Sequence, residues 1–351
     1  MSGSHLVPGI ETDIVLNKEV LSIKRINNDH INVTVYYEFF NPGHARNMII
    51  GFEAPSPLRG QNGIAVAKDF HPYIIDFSIQ MNAHKLSHKI TLVNDEFQLQ
   101  NGRVSSLTDA EAITLERQKG NKAKFNYVYY ATANFQKGLN KVMHTYTFRM
   151  TEDIHHYYAF RYNMQSAMRW ANKQINDFTL AVDMGEYQDF FIPNFPFNST
   201  VKSNLIGVGR IMDRTSIPVG SDDYSDYRDK TRFFIKNGYV EYNIQNFHPK
   251  DELFVYSPRF QAGNTDVFNY KKQSTLPFSN LANILYEFYS NNMSREIIRN
   301  LPYARRGYIS NSPILQDYYS RQVWYIADPD YKRRIETLTV EEQELVEYFS
   351  R

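Results

Sequence analysis

From residue 31 to 41 the chain reads INVTVYYEFFN, with an apolar side chain at every second position. Ile31, Val33, Val35, Tyr37 and Phe39 share one face, and Asn32, Thr34, Tyr36 and Glu38 share the other. That period of two belongs to a strand with one buried face. Asn41-Pro42-Gly43 then predicts a turn, and MIIGFEA at 48–54 predicts a second strand. Further strands are expected at 20–26, 73–81, 125–134, 142–150, 156–164 and 177–185, the last leaving Gly185 at a turn. FFIKNGYVEYNI at 233–244 predicts a hairpin closed by a two-residue turn at Asn237-Gly238, with LFVYSP at 253–258 beside it.

Two regions break this period. Thr108-Asp109-Ala110-Glu111 is a capping box, opening a helix expected to run to about Lys119 before Gly120 stops it. After Pro277 the apolar spacing turns helical, at Leu281, Ile284, Leu285 and Phe288 and again at Met293, Ile297 and Ile298. Thr339 and Glu342 form a second capping box, before a helix that places Leu345, Val346 and Phe349 on one face. In between, LPYARRGY at 301–308 fits the end of a helix spanning 294–306, with Ser294 as its N-cap. Gly307 would close that helix in the left-handed conformation, with Tyr308 or Ile309 packing back on the last turn. Arg305 and Arg306 would complement the helix dipole. Pro302 predicts a break or kink before Tyr303.

The fold class that follows is mainly β with a C-terminal α module. A β-sandwich-like, antiparallel domain is expected over 10–150 with the helix near 108–119 inserted. A second β-rich domain is expected over 151–270 and a helical one over 281–351, with the polar stretch 261–280 as linker.

Composition narrows the function. Of 351 residues 15% are aromatic, with 26 Tyr and 24 Phe, which suits strands. The formal charge of +1 supplies no field to recruit nucleic acid. Absence of cysteine excludes disulfides, thiolate metal sites and cysteine nucleophiles. No apolar run reaches the ~18 residues of a membrane-spanning helix. The opening MSGSHLVPG has neither a basic nor an apolar signal region, and reads as a leader standing where a native signal segment has been removed.

Candidate chemistry is sparse. Asp153, His155 and His156 invite a metal, but adjacent strand residues point to opposite faces. Asp222, Asp223, Asp226 and Asp229 cluster without EF-hand spacing, and read better as a solvated loop. Ile206-Gly207-Val208-Gly209 lacks the third glycine of a nucleotide loop and reads as turn glycines. No serine sits in a G-x-S-x-G elbow, no H-E-x-x-H occurs, and the pair Asp251-Glu252 becomes hydrolytic only if folding sets two carboxyls at the right separation. No catalytic residue, metal ligand or cofactor is therefore expected.

The stretch from SREIIRNLPYARRGY through Trp324-Tyr325 to the closing helix resembles the YARHG domain. Arg299, Asn300, Tyr303, Ala304, Arg305, Gly307 and Tyr308 carry the likeness. The family's signature histidine is Arg306 here, so no metal or acid-base role resting on that imidazole carries over. More loosely, NKEVLSIKR, VTVYYEFFNP, IGFEAPSP, the Trp170 region with INDFTLAVDMG, and NGYVEYNIQNFHPKDELFVY resemble an uncharacterised domain that often precedes this module. The resemblance implies a bacterial protein outside the cytoplasm, in the periplasm or at the cell surface, and brings no established activity.

The expected role is therefore a non-enzymatic binding or scaffold protein of the cell envelope. Its partner would be a glycan, peptidoglycan or an envelope protein, and the alternative is a hydrolase acting on an envelope polysaccharide or peptidoglycan. The ligand-binding candidates are Tyr303, Arg305, Arg306, Tyr308, Trp324 and Tyr325. The same residues could instead make the core of so small a unit, with Trp324 as anchor beside Tyr303 and Tyr308. Residues 281–351 hold nine Lys and Arg against ten Asp and Glu, so their arginines are expected to pair within the module rather than hold nucleic acid.

Overall fold

The computed structural model describes residues 2–27, 29–56, 69–94, 96–119, 125–150, 156–186, 188–197, 201–212, 229–258, 292–322 and 324–350. The first strands are β1 (Ser2–Ser4), β2 (Leu6–Pro8), β3 (Val15–Arg25), β4 (His30–Asn41), β5 (Arg46–Pro55) and β6 (Ile74–Met81). Next come β7 (His84–Lys85), β8 (His88–Asn94), β9 (Leu99–Gln100) and β10 (Arg103–Val104), then helix α1 (Asp109–Lys119). After it lie β11 (Phe125–Phe135), β12 (Gly138–Arg149), β13 (His156–Asn163), β14 (Ile175–Asp183) and β15 (Gln188–Pro193). The last strands are β16 (Ser203–Met212), β17 (Lys230–Phe247) and β18 (Glu252–Pro258). Helices α2 (Asn292–Arg305), α3 (Pro313–Ser320) and α4 (Val340–Tyr348) close the chain.

Alternation does what it predicts. Ile31, Val33, Val35, Tyr37 and Phe39 of β4 are all fully buried. Among the described residues twelve strands form one sheet, ordered β1-β13-β18-β15-β17-β14-β3-β4-β12-β6-β7 with β16 along β17. A four-stranded sheet, β2-β5-β11-β8, covers one face. The pairing is antiparallel except at β1–β13 and β3–β14, which run parallel, so the large sheet is mixed. Aromatic rings fill the gap between the sheets. Phe52 on β5 lies 5.0 Å from Tyr146 and 5.1 Å from His144 on β12, while Trp170 sits 4.2 Å from Phe39.

The expected boundary at residue 150 falls inside this sheet. β3, β4, β12, β6 and β7 form one half, β1 with β13 to β18 the other, and the halves meet at the β3–β14 pair. The polar linker at 261–280 and the helical spacing at 281–288 lie outside the described residues.

Three expectations about the strands need correction. The opening residues are built into the fold: the chain pairs with the large sheet as β1, crosses at His5, and joins the small sheet as β2. Leu6 and Val7 are fully buried, and the Leu6 carbonyl accepts the Trp170 indole N–H at 2.9 Å. Asn237-Gly238 does not close a hairpin. β17 runs straight through it: Gly238 (φ 101°) stays in register opposite Gly207, and the irregularity in the pairing falls two residues away, where Lys236 is the extra residue against Val208 and Gly209 of β16. Gly207, expected in a turn, thus lies within a strand, and a Cβ on Gly238 would come 2.0 Å from the Ile206 carbonyl oxygen. Finally, β18 pairs with β13 and β15 rather than with β17.

Two helix starts match their signals, and a third does not: α2 begins at Asn292, so Ser294 stands inside the helix rather than capping it. Thr108 and Glu111 exchange both capping-box bonds at the head of α1, and Thr339 and Glu342 do so at the head of α4. Helix α3 was not anticipated, although Ser312 before Pro313 is the usual placement of proline at a first turn.

Candidate functional site

Gly307 ends α2 as its sequence requires, at φ 93°. The Tyr308 N–H reaches the Tyr303 carbonyl at 3.1 Å and the Gly307 N–H reaches the Ala304 carbonyl at 2.9 Å, the double bond of a Schellman close. Tyr308 then packs edge-on against Tyr303, with ring centres 6.3 Å apart. The expected break at Pro302 does not occur. Pro302 stands in the last turn of a continuous α2, where only one backbone bond is forgone and buried Leu301, Tyr303 and Ala304 hold the turn in place.

Arg306 follows, and it is interior. Its guanidinium makes two bonds to the Glu342 carboxylate, at 3.1 and 2.7 Å, and a third to the Pro302 carbonyl at 2.8 Å. Both side chains of the pair are at most 1% exposed. The ion pair ties the end of α2 to the head of α4, where Glu342 also completes the capping box. A residue so enclosed cannot reach a ligand, which removes Arg306 from the binding candidates.

The other candidates divide between two small cores. Trp324 and Tyr325 pack with Ile297, Leu301, Ala304, Leu315 and Tyr319. Tyr303 packs instead with Leu338 and Val346, with Tyr308 and Tyr331 at the edge. Trp324 is therefore a core residue, but its aromatic neighbours are Tyr319 and Tyr325 rather than Tyr303 and Tyr308. Arg305 is half-buried, with its guanidinium 4.2 Å from the Trp324 ring centre. Burial pulls its pKa well below the usual arginine range, and Asp189 of β15 opposes that pull. Tyr308 is half-buried too, and its carbonyl accepts the Tyr325 hydroxyl at 3.1 Å. Tyr303, Arg306, Trp324 and Tyr325 form no exposed platform.

Other weighed groups also find structural uses. Asp153 and His155 lie outside the described residues, and His156 packs edge-on against Tyr256 at 5.2 Å. Asp222, Asp223 and Asp226 lie outside as well, while Asp229 accepts the Asn194 amide at 2.9 Å.

The concave site lies elsewhere. A cleft of about 740 Å³ is lined by residues 8–12, by Gln98 and Leu99, and by the 168–173 segment. Arg169, at the end of a 3₁₀ turn, forms part of the wall and is held from three sides. It pairs with Glu53 at 3.1 Å and donates to the Pro8 carbonyl at 3.2 Å and to the Phe97 carbonyl. Burial raises the Glu53 carboxyl pKa, while the Phe97 N–H at 2.5 Å and Arg169 act against that rise. Exposed Lys173 and Glu11 stand at the mouth, with Ile10 as an apolar rim. A fixed cation, an exposed cation, a carboxylate and an apolar edge together suit a polar ligand that is held by hydrogen bonds. Sequence reasoning missed this cleft because its three segments are far apart in the chain. The one signal was Trp170 beside Arg169, an isolated tryptophan next to a cation.

Residues 290–351 match the YARHG domain. Among solved structures, a candidate nutrient binding protein from Legionella pneumophila is similar over 99% of this chain and 97% of its own, at 15% identity and a TM-score of 0.48. An aminopeptidase N family protein from Idiomarina loihiensis matches 70% of this chain and 29% of its own, at 8% identity and a TM-score of 0.26. Baculovirus P35 matches 70% of this chain and 97% of its own, at 9% identity and a TM-score of 0.26. Comparison with curated proteins gives no match.

Proposed function

We propose that the chain is a non-enzymatic binding or scaffold protein of the bacterial cell envelope, outside the cytoplasm, that takes a glycan, peptidoglycan or envelope-protein ligand at the Arg169–Lys173 cleft. The YARHG match over 290–351 supports the location. The cleft carries the binding role, because its central cation is positioned by three bonds before any ligand arrives. Such preorganisation lowers the ordering cost of binding.

The test is retention of the purified protein on isolated cell-wall sacculi, beside an assay for released fragments. Saturable retention without release is the expected result, weakened several-fold in Lys173→Gln. Release of fragments would replace this reading with the hydrolase alternative. Retention unaffected by changes at Lys173 and Glu11 would move the site away from the cleft.

A further inference from the structure

The Trp324 core contains a residue from outside the helical segment. Phe234 of β17 is 4% exposed and packs with Ile297, Leu301, Ala304 and Trp324, with Met212 of β16 at the edge. Its neighbour Phe233 belongs to the sandwich core, as strand alternation requires. Two adjacent phenylalanines thus serve two different cores, one on each face of the sheet.

A polar contact accompanies the apolar one. Arg210 on β16 stands directly opposite Phe234 in the strand register. Its guanidinium donates to the carbonyls of Ser320 and Gln322 at 2.9 and 2.7 Å, at the C-terminal end of α3. A cation there meets the negative end of a helix dipole and carbonyls that the helix itself leaves unpaired. Asp189 of β15 is held by Arg232 of β17 at 2.9 and 2.5 Å, and its charge also acts on Arg305.

We infer that the YARHG-like module is a clamp on a β-ribbon, and that its occupant is this chain's own β16–β17 pair. Phe234 is the plug and Arg210 the latch. The partner chemistry is specific: an outward aromatic residue on one strand, with an arginine opposite it on the next. Seated in this way, the ribbon occupies the aromatic face that sequence reasoning offered to an external ligand. The inference is independent of the cleft, whose lining includes none of these residues.

Amide hydrogen exchange on the full chain tests it, with Arg210→Glu and Phe234→Ala. The expected result is exchange at least tenfold faster across 292–322 in both variants, with β3, β4 and β12 protected as in the parent. Sacculus retention, which reads the cleft, should not change. Parent-like exchange across 292–322 in both variants would overturn the clamp. Faster exchange in β3, β4 and β12 to the same degree would also overturn it, since Phe234 would then serve the sandwich. Should Phe234→Ala fail to fold, Arg210→Glu decides alone, because its side chain lies partly at the surface and outside both aromatic cores.

Discussion

Each of the two regions buries one tryptophan, and their surroundings differ. Trp170 is 1% exposed between two sheets, beside Phe39 and Phe135, with its N–H satisfied by the Leu6 carbonyl. Trp324 is 9% exposed in a core of a few side chains, one of them lent by the large sheet. The sandwich has area enough to enclose its rings by layering alone. A unit of about 60 residues does not, so it leans on a left-handed glycine, a capping box, a buried ion pair and a borrowed phenylalanine. Variants that remove one such device should hurt the module more than equivalent changes hurt the sandwich.

The largest difference should come from ion pairs. Arg306→Ala would strand the Glu342 carboxylate in the interior, at a cost of about 3–5 kcal/mol to the module. Arg161→Ala, breaking a pair with Glu252 whose members are about a third exposed, should cost under ~1 kcal/mol. Urea melts that follow exchange in each region separately would read both, and equal costs would remove the distinction between the regions. Gly307→Ala falls between them. Left-handed strain and a Cβ placed 2.6 Å from the Asp328 Cβ, 2.7 Å from the Ile326 carbonyl oxygen and 2.8 Å from the Asp328 nitrogen should together cost about 1–3 kcal/mol. Arg306 should thus matter more than Gly307, because it is a buried partner rather than the helix-end charge that its sequence position suggests.

Acid should separate the regions next. His71 and His144 are buried in the sandwich, and burial lowers their pKa values to about 4 and about 3. The unfolded chain takes up these protons near pH 6.5 and the folded chain resists. Their stabilisation is thus complete above pH 6.5 and declines as pH falls toward 4 and 3, by on the order of 1 kcal/mol per pH unit for each. Burial shifts the Glu19 carboxyl upward, so its own contribution is fully present at low pH and declines as pH rises through its raised pKa, which works against the histidines. His144→Phe, in the aromatic surroundings of Phe52, Phe77 and Tyr146, should flatten the acid slope of sandwich melting between pH 6.5 and 4. No histidine lies between residues 281 and 351, so module melting should lack this slope. An unchanged slope in His144→Phe would mean that the imidazole is protonated inside the fold.

How much of this was legible in the sequence depends on the distance over which each feature acts. Period two along β4 and the capping boxes at Thr108 and Thr339 are local, and they came through correctly. The Gly307 helix close is local too. Asn237-Gly238 failed although the glycine conformation was right, because a positive-φ glycine can also sit within a paired strand, and only the neighbouring β16, with Gly207 opposite Gly238, decides between that and a turn. Arg306 was assigned to a helix end because Glu342 lies 36 residues further on, and nothing near Arg306 reveals its partner. The cleft and the Phe234 plug are non-local in the same way. Alternation on β17 sends Phe233 and Phe234 to opposite faces, but it does not say what lies beyond either one.

The smallest expected effect compares the two capping boxes, which share the same chemistry in different surroundings. At Thr108 the box sits on an exposed helix, and its bonds lower the Glu111 carboxyl pKa where solvent competes for every one of them. At Thr339 the box shares Glu342 with Arg306, so one carboxylate caps a helix and neutralises a buried cation together. Thr339→Ala removes the acceptor for the Glu342 N–H, keeps the backbone N–H that bonds the Glu342 carboxylate, and loosens the first turn of α4 that presents this carboxylate to Arg306. It should cost the module about 1 kcal/mol or slightly more, the upper side of the usual range for a lost cap. Thr108→Ala should shift sandwich melting by less, since α1 makes only slight contact with the strands. A double-mutant cycle between Thr339→Ala and Arg306→Ala sharpens the point. If cap and ion pair act through one carboxylate, their costs should fall short of additivity by several tenths of a kcal/mol. Strict additivity would mean that the ion pair holds Glu342 without help from the cap, and the two boxes would then differ only in exposure.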